Sequence, residues 1–190
     1  MAERSLPGAR FRIALAGGAT PKPVYERLAE EDLDWSRWHV WWSDERLVPP
    51  DHRDSNERMA REALLDRVPV PASQIHPLRS PHVELPDRFD LILLGVGPDG
   101  HCASLFPGDP ALAATEPVVR VERPGLPPPH ARLTFTYPVL NASRTTAFLV
   151  SGREKRDVVA GILAGDESLP AARVRAPETF LLVNEEAAPE

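Results

Sequence analysis

Asp99 and His101 stand two residues apart in the turn Gly97-Pro98-Asp99-Gly100-His101. An imidazole passes protons in either direction near neutral pH, so His101 is the first candidate for acid-base work. Asp99, or Asp44 in the segment Ser43-Asp44-Glu45-Arg46, carries the negative charge that would orient or balance the ring. Gly17-Gly18 followed by Thr20 offers a second chemistry. A glycine turn lets backbone N–H groups approach an anion, and a helix that starts there adds the positive end of its dipole. Arg46 and Lys155 supply a planar fork and a point charge suited to phosphate oxygens. Taken singly, each feature has a plainer reading as a tight turn, a turn aspartate or a solvated surface charge.

The elements that must carry these residues give them a common place. Residues 11–16 read as a strand running into Gly17-Gly18, then Thr20 as a helix N-cap and Pro21 as the first helical residue. Residues 38–42 read as a second strand that leads into Ser43-Asp44-Glu45-Arg46. Asp54 and Glu57 look like a capping pair opening a helix that runs to Arg67. The near-continuous apolar run 89–96 is the pattern of a central strand covered on both faces. Residues 118–121 and 133–136 are weaker strands separated by the proline-rich stretch 124–129. Residues 145–150 form a further strand, followed by a helix carrying Val158, Val159, Ile162 and Leu163, and 179–183 close the sheet. Alternating strands and helices predict an α/β fold, a single-domain Rossmann-like parallel sheet with helices on both faces. Ligands of such sheets bind outside the carboxyl ends of the strands. All the candidate residues fall there, which predicts a site for a phosphorylated small molecule.

Composition narrows the field. With 190 residues the chain is read as one domain, residues 1–190, long enough to bury a core without disulfides or metal. Its 22 basic and 28 acidic side chains give a net charge of −6, which argues against a nucleic-acid partner. No apolar run reaches the roughly 18 residues of a membrane span, so no membrane partner is expected. The first ten residues lack the apolar core of a signal peptide, and the expected compartment is the cytoplasm. Cys102 is the single cysteine, so no disulfide or thiolate zinc cluster is expected. Cys102 reads as a small buried filler, because sequence neighbours such as His101 and Cys102 point in different directions. Ser43, Ser104 and Ser151 lack the G-x-S-x-G elbow of an α/β-hydrolase. His39, His52, His76, His82 and His130 show no metal-ligand spacing, and no metal site is read.

Five blocks carry a resemblance: LAGGATPKPVYERLA (15–29), WSDERLVPPDHRDSN (42–56), LLGVGPDGHCASLFPG (93–108), RLTFTYPVLNAS (132–143) and VSGREKRDVV (150–159). In this order they resemble the 6-phosphogluconolactonase family, and GPDGH followed by ASLFPG is the specific part. The resemblance implies a deaminase-isomerase-like fold. It also implies hydrolysis of 6-phospho-D-glucono-1,5-lactone to 6-phosphogluconate in the oxidative pentose phosphate pathway, without metal or organic cofactor. His101 would be the general base on the attacking water, with Asp44 and Asp99 as acidic neighbours. Gly17, Gly18, Thr20, Arg46 and Lys155 would hold the phosphate. A monomer is expected, with an oligomer left open.

The chain departs from the family pattern in several places. Only about ten residues precede Phe11, and the connection between residues 76 and 89 is short, so the domain is read as shortened at both places. Cys102 stands where threonine is common, Ala19 where serine is common and Asn184 where aspartate is common. Two rival readings remain. Glucosamine-6-phosphate deaminase-isomerases resemble the chain too, but they carry a glutamate shortly after the histidine, where this sequence has Ser104-Leu105-Phe106-Pro107-Gly108. A sugar-phosphate-binding module is the other alternative, and nothing basic or N-terminal here supplies a DNA-binding segment.

Overall fold

The computed structural model describes residues 9–122 and 128–189, so most of the proline-rich stretch 124–129 and nearly all of the N-terminal ten residues lie outside the described residues. Five strands, β1 (Phe11–Leu15), β2 (Trp38–Trp42), β4 (Leu91–Gly95), β7 (Thr145–Val150) and β8 (Glu178–Val183), build one sheet in the order β2-β1-β4-β7-β8. Every neighbouring pair is parallel. The apolar run ending at Val96 therefore supplies the middle strand, as its pattern predicts. Ile13, Ala14 and Leu15 on β1 and Ile92, Leu93 and Leu94 on β4 are buried in succession. Successive side chains point to opposite faces, so both faces of the sheet centre are covered. Helices α1 (Pro21–Leu28), α3 (Tyr137–Ala142) and α4 (Arg156–Leu163) lie between the strands in sequence.

The weaker strands do not extend this sheet. β5 (Val118–Val121) and β6 (Arg132–Phe135) pair antiparallel, and β6 pairs antiparallel with β3 (Asp44–Arg46) to form a second, three-stranded sheet. The segment after β2, to which the sequence pattern assigns no strand, is thus one. Its cause is a switch at Ser43, whose N–H donates to Leu15 of the first sheet (2.9 Å) while its carbonyl accepts from Phe135 of the second (2.8 Å). One residue belongs to both ladders. The chain turns there from the large sheet into the small one.

The helix expected to start at Asp54 and run to Arg67 also differs. Ser55 is its N-cap, accepting from the Arg58 N–H at 3.1 Å, and α2 (Asn56–Ala60) widens into a π turn over Arg61–Leu65. Glu57 is not the reciprocal cap because Arg61 (2.9 Å) and Arg79 (2.8 Å) hold its buried carboxylate. Glu45 takes over that duty. Its carboxylate accepts from the N–H groups of Asn56 (2.7 Å) and Glu57 (2.6 Å), the orphan donors of the first turn. Thr20 occupies the N-cap position of α1 with Pro21 behind it, but its own backbone is already helical and its hydroxyl caps nothing. It faces Ser151 instead, at 3.2 Å.

The connection from His76 to Phe89 forms no helix and is pinned to the edge strand β2. The His76 N–H donates to Val40, the Trp41 indole donates to Glu84, and the Trp41 and His76 rings stack at 4.1 Å. These contacts blunt an edge that would otherwise be open to pairing.

The capping assignment makes a prediction. Ser55→Ala should destabilise the fold by about 1 kcal/mol in urea unfolding, whereas Asp54→Ala should lower it by at most a few tenths, the loss expected of a surface ion pair. The reverse order would restore Asp54 as the cap.

Candidate active site

The four segments predicted to meet do so because β2, β1, β4 and β7 are consecutive and parallel in the sheet. Their carboxyl ends deliver residues 17–20, 43–46, 97–104 and 151–155 to one edge. Each segment is shaped by its own local chemistry.

The turn after β4 is closed by two backbone bonds. Gly97 N–H donates to the His101 carbonyl (2.9 Å) and Gly100 N–H to the Gly97 carbonyl (3.0 Å). A methyl group on Gly97 would stand 2.0 Å from His101 Nδ1 and 2.6 Å from Asp99 Oδ1, so the glycine leaves the space that the ring and carboxylate fill. His101 Nδ1 lies 2.6 Å from Asp99 Oδ1. An ionised carboxylate only accepts, so the ring carries a proton on Nδ1, and in the neutral imidazole the lone pair is on Nε2. The His101 side chain is 18 % exposed, and Nε2 makes no hydrogen bond among the described residues. Phe106 packs on the imidazole with ring centres 4.5 Å apart. Ala103, at φ 49°, is the single described non-glycine residue with positive φ, placing backbone strain beside this histidine.

Asp44 does not reach His101 in the same way. Its buried carboxylate accepts from Ser104 Oγ at 2.6 Å and from Asn56 Nδ2 at 3.1 Å. Asn56 also donates to the Asp44 carbonyl at 2.9 Å, and Ser104 N–H is taken by Thr134 Oγ1 at 3.0 Å. This knot ties the start of β3, the start of α2, the loop after β4 and β6. Gly17 completes it. A Cβ on Gly17 would fall 1.9 Å from Asn56 Oδ1, so only glycine lets Asn56 reach Asp44.

The cationic side is assembled from three places. Arg46, the last residue of β3, sits in register opposite Arg132 of β6. Arg46 Nη1 donates to the Asp54 carbonyl, and its buried Nε has no hydrogen-bond partner among the described residues. Arg132 is buried and lies over the Phe106 ring at 5.4 Å, one ring away from His101. Burial holds its guanidinium below the ordinary arginine range, the nearby Asp44 charge opposing that effect. Lys155 ends the short turn Arg153–Lys155 that follows Gly152. Burial lowers its ammonium, while the charges of Glu154 and Asp99 pull it back up. Lys155 is thus within electrostatic reach of the His101 partner. Thr20 joins the β1 and β7 loops through Ser151.

Glu45 and Cys102 are excluded from acid-base and nucleophilic duty by what surrounds them. Burial raises the Glu45 carboxyl, but its oxygens are occupied by backbone N–H groups at the start of α2. Cys102 is fully buried, and burial with the Asp44 charge pushes its thiol up to about 12. It is a filler, as expected. Arg132 and Asn56 are not singled out from the sequence, and Ser104 and Ser151 are weighed there only as nucleophiles. Ser151 and Ser104 have partners 131 and 60 residues away, Arg132 faces Arg46 across a sheet, and Asn56 reaches back 12 residues to Asp44 at the end of an irregular segment, so spacing carries no signal for them.

The sequence matches the family model for glucosamine-6-phosphate isomerases/6-phosphogluconolactonase over residues 2–182. The chain belongs to this family. Among the family's curated members, it is 42 % identical over 197 residues to 6-phosphogluconolactonase of Nostoc sp., covering 91 % of this chain and 80 % of that one. It is 44 % identical to the Synechocystis sp. protein of the same name, over 80 % of this chain and 71 % of that one. Of the solved structures, 6-phosphogluconolactonase from Thermotoga maritima superposes with a TM-score of 0.82 at 37 % identity, over 92 % and 84 % of the two chains. A monomeric glucosamine-6-phosphate deaminase, 21 % identical, shares the fold at a TM-score of 0.77. Among the described residues, no helix is long and apolar enough to cross a membrane.

The Gly17–Asn56 contact generates a double-mutant prediction. Gly17→Ala should destabilise the protein by about 2 kcal/mol, and the same change in an Asn56→Ala background should be nearly neutral. Additive losses in chemical denaturation would show that the two residues do not share this space.

Proposed function

We propose that this chain hydrolyses 6-phospho-D-glucono-1,5-lactone to 6-phosphogluconate, with His101 as general base. The observation that carries the reading is the Asp99–His101 pair at the end of the central strand, with Nδ1 committed to Asp99 at 2.6 Å and Nε2 unoccupied on a partly exposed ring. The names of the relatives supply the substrate, and the geometry is compatible with it.

In this reading, a water molecule gives its proton to His101 Nε2 as its oxygen bonds to the lactone carbonyl carbon. The tetrahedral intermediate collapses by breaking the ring C–O bond, and the proton held by His101 returns to the departing ring oxygen. The product carries a new carboxyl group at C1, which ionises by losing the second proton of the water to solvent, and a hydroxyl where the ring oxygen was. Asp99 keeps the ring in the productive tautomer and balances the imidazolium that forms. An activated ester needs modest help, and a positioned base typically supplies about 10²- to 10⁴-fold. Asp44 holds the framework rather than a proton, because Ser104 and Asn56 already occupy its oxygens. Gly17, Gly18 and Thr20 at the start of α1, with Arg46 and Lys155, hold the phosphate through backbone N–H groups and two cations. The roles of these residues, action within the oxidative pentose phosphate pathway, a cytoplasmic setting and a single domain over residues 1–190 belong to the same proposal. The segment Ser104–Gly108 carries no carboxylate, which favours lactone hydrolysis over deamination.

His101→Ala should lower kcat for freshly generated lactone by about 10²- to 10⁴-fold, measured above the spontaneous rate, while the affinity for 6-phosphogluconate in calorimetry changes less than threefold. Activity within threefold of wild type would remove His101 as the base. A wild type that binds the product but does not accelerate hydrolysis would favour the binding-module reading instead.

A further inference from the structure

Three side chains that the proposed reaction does not use come together behind Arg46. His130 Nε2 lies 3.0 Å from Asp54 Oδ2, and His52 Nδ1 lies 3.8 Å from the same oxygen. One ligand atom from each of the three residues lies within 4.8 Å of the others. The His52 and His130 rings meet edge to face, with centres 5.3 Å apart. All three side chains are partly exposed, at 36 %, 24 % and 30 %, so an ion can enter from solvent.

We propose that His52, Asp54 and His130 form a binding site for a borderline divalent cation of the zinc class. Two imidazole nitrogens and one carboxylate oxygen suit Zn²⁺, Co²⁺ or Ni²⁺, whereas Mg²⁺ and Ca²⁺ require mostly oxygen. Ligand atoms on a tetrahedral zinc stand about 3.4 Å apart, which follows from bonds of about 2.1 Å. Small side-chain rotations therefore close the present triangle onto an ion. Three protein ligands leave the fourth position to water.

The backbone around the cluster is already fixed. His52 N–H donates to Pro49, Ser55 N–H to His52, and the Asp54 carbonyl is held by Arg46 Nη1. His52 Nδ1 accepts from the Asp54 N–H at 3.1 Å, a bond that coordination through this nitrogen would replace. The Arg53 guanidinium, 3.8 Å from Asp54 Oδ1, is 86 % exposed and free to swing into water. His130 reaches the cluster from the segment that enters β6, 76 residues along the chain from Asp54. An ion there would pin the loop between β3 and α2 to the small sheet, on the stretch of chain that also holds Arg46. The histidine spacing in the sequence concealed this. Only pairing of β3 with β6 brings His130 over Asp54.

The test is calorimetric titration of tag-free, full-length protein with ZnCl₂, followed by thermal unfolding. Wild type should bind one Zn²⁺ per chain with a Kd below about 100 μM, and its Tm should rise by about 5 °C at a hundredfold excess over Kd. His130→Ala and His52→Ala should each weaken binding at least tenfold and abolish the Tm shift, while His101→Ala should leave both unchanged. If His130→Ala is unstable, His130→Gln serves, since it can keep the hydrogen bond to Asp54 while losing the ligand nitrogen. Absence of saturable binding in wild type, or undiminished binding in the His130 and His52 variants, would overturn the site.

Discussion

The architecture depends on how the chain keeps the Asp44 carboxylate under the carboxyl edge of the sheet. A buried charge is tolerated only where its oxygens are met by donors, and breaking such a set is strongly destabilising. Ser104 and Asn56 are those donors, and each brings a different segment with it. Ser104 fixes the loop that begins at His101, Asn56 fixes the start of α2, and the Asp44 backbone is already committed to β3. Gly17 is glycine because Asn56 needs its space. The position of the Asp99–His101 pair relative to the glycine turn is therefore set by one buried carboxylate, which in the proposed reaction performs no chemistry itself.

From this joint the site divides into two halves. On one side, Asp99, His101 and Phe106 form a unit whose turn is closed by its own backbone bonds. On the other side, Arg46, Arg132 and Lys155 bring positive charge to an edge where helix α1 points its N-terminus. Burial weakens the hold of Arg132 and Lys155 on their protons, and nearby carboxylates oppose it, Asp44 for the arginine and Glu154 followed by Asp99 for the lysine. The carboxylates thus serve twice. They organise the loops and keep nearby cations charged in a partly desolvated place.

The parts of this arrangement that were legible in the sequence are those that obey local rules. The apolar run ending at Val96 announced a doubly covered central strand, and placing the glycine turn, the Asp-Glu-Arg trio, the histidine turn and the lysine at strand ends put them on one edge. What failed were features set by distant partners. β3 is not legible as a strand because three polar residues show no strand pattern, and only pairing with Arg132, Leu133 and Thr134 of β6 makes it one. Asp54 looked like a cap and is instead drawn to His130, leaving Ser55 to cap α2. The choice between Asp44 and Asp99 as the neighbour of the imidazole was likewise open until Ser104, 60 residues from Asp44, was placed against it.

A cavity of about 470 Å³ is lined by Arg46 together with Arg79, Arg120 and Ser55, with no contribution from His101. It gives the central claim a clear competitor for the phosphate. The deciding measurement is a crystal structure of the protein with 6-phosphogluconate. The account predicts phosphate oxygens within hydrogen-bond distance of the residue 17–20 turn and of Arg46 or Lys155, with the C1 carboxylate beside His101 Nε2. A phosphate seated between Arg79 and Arg120, with C1 remote from His101, would contradict it.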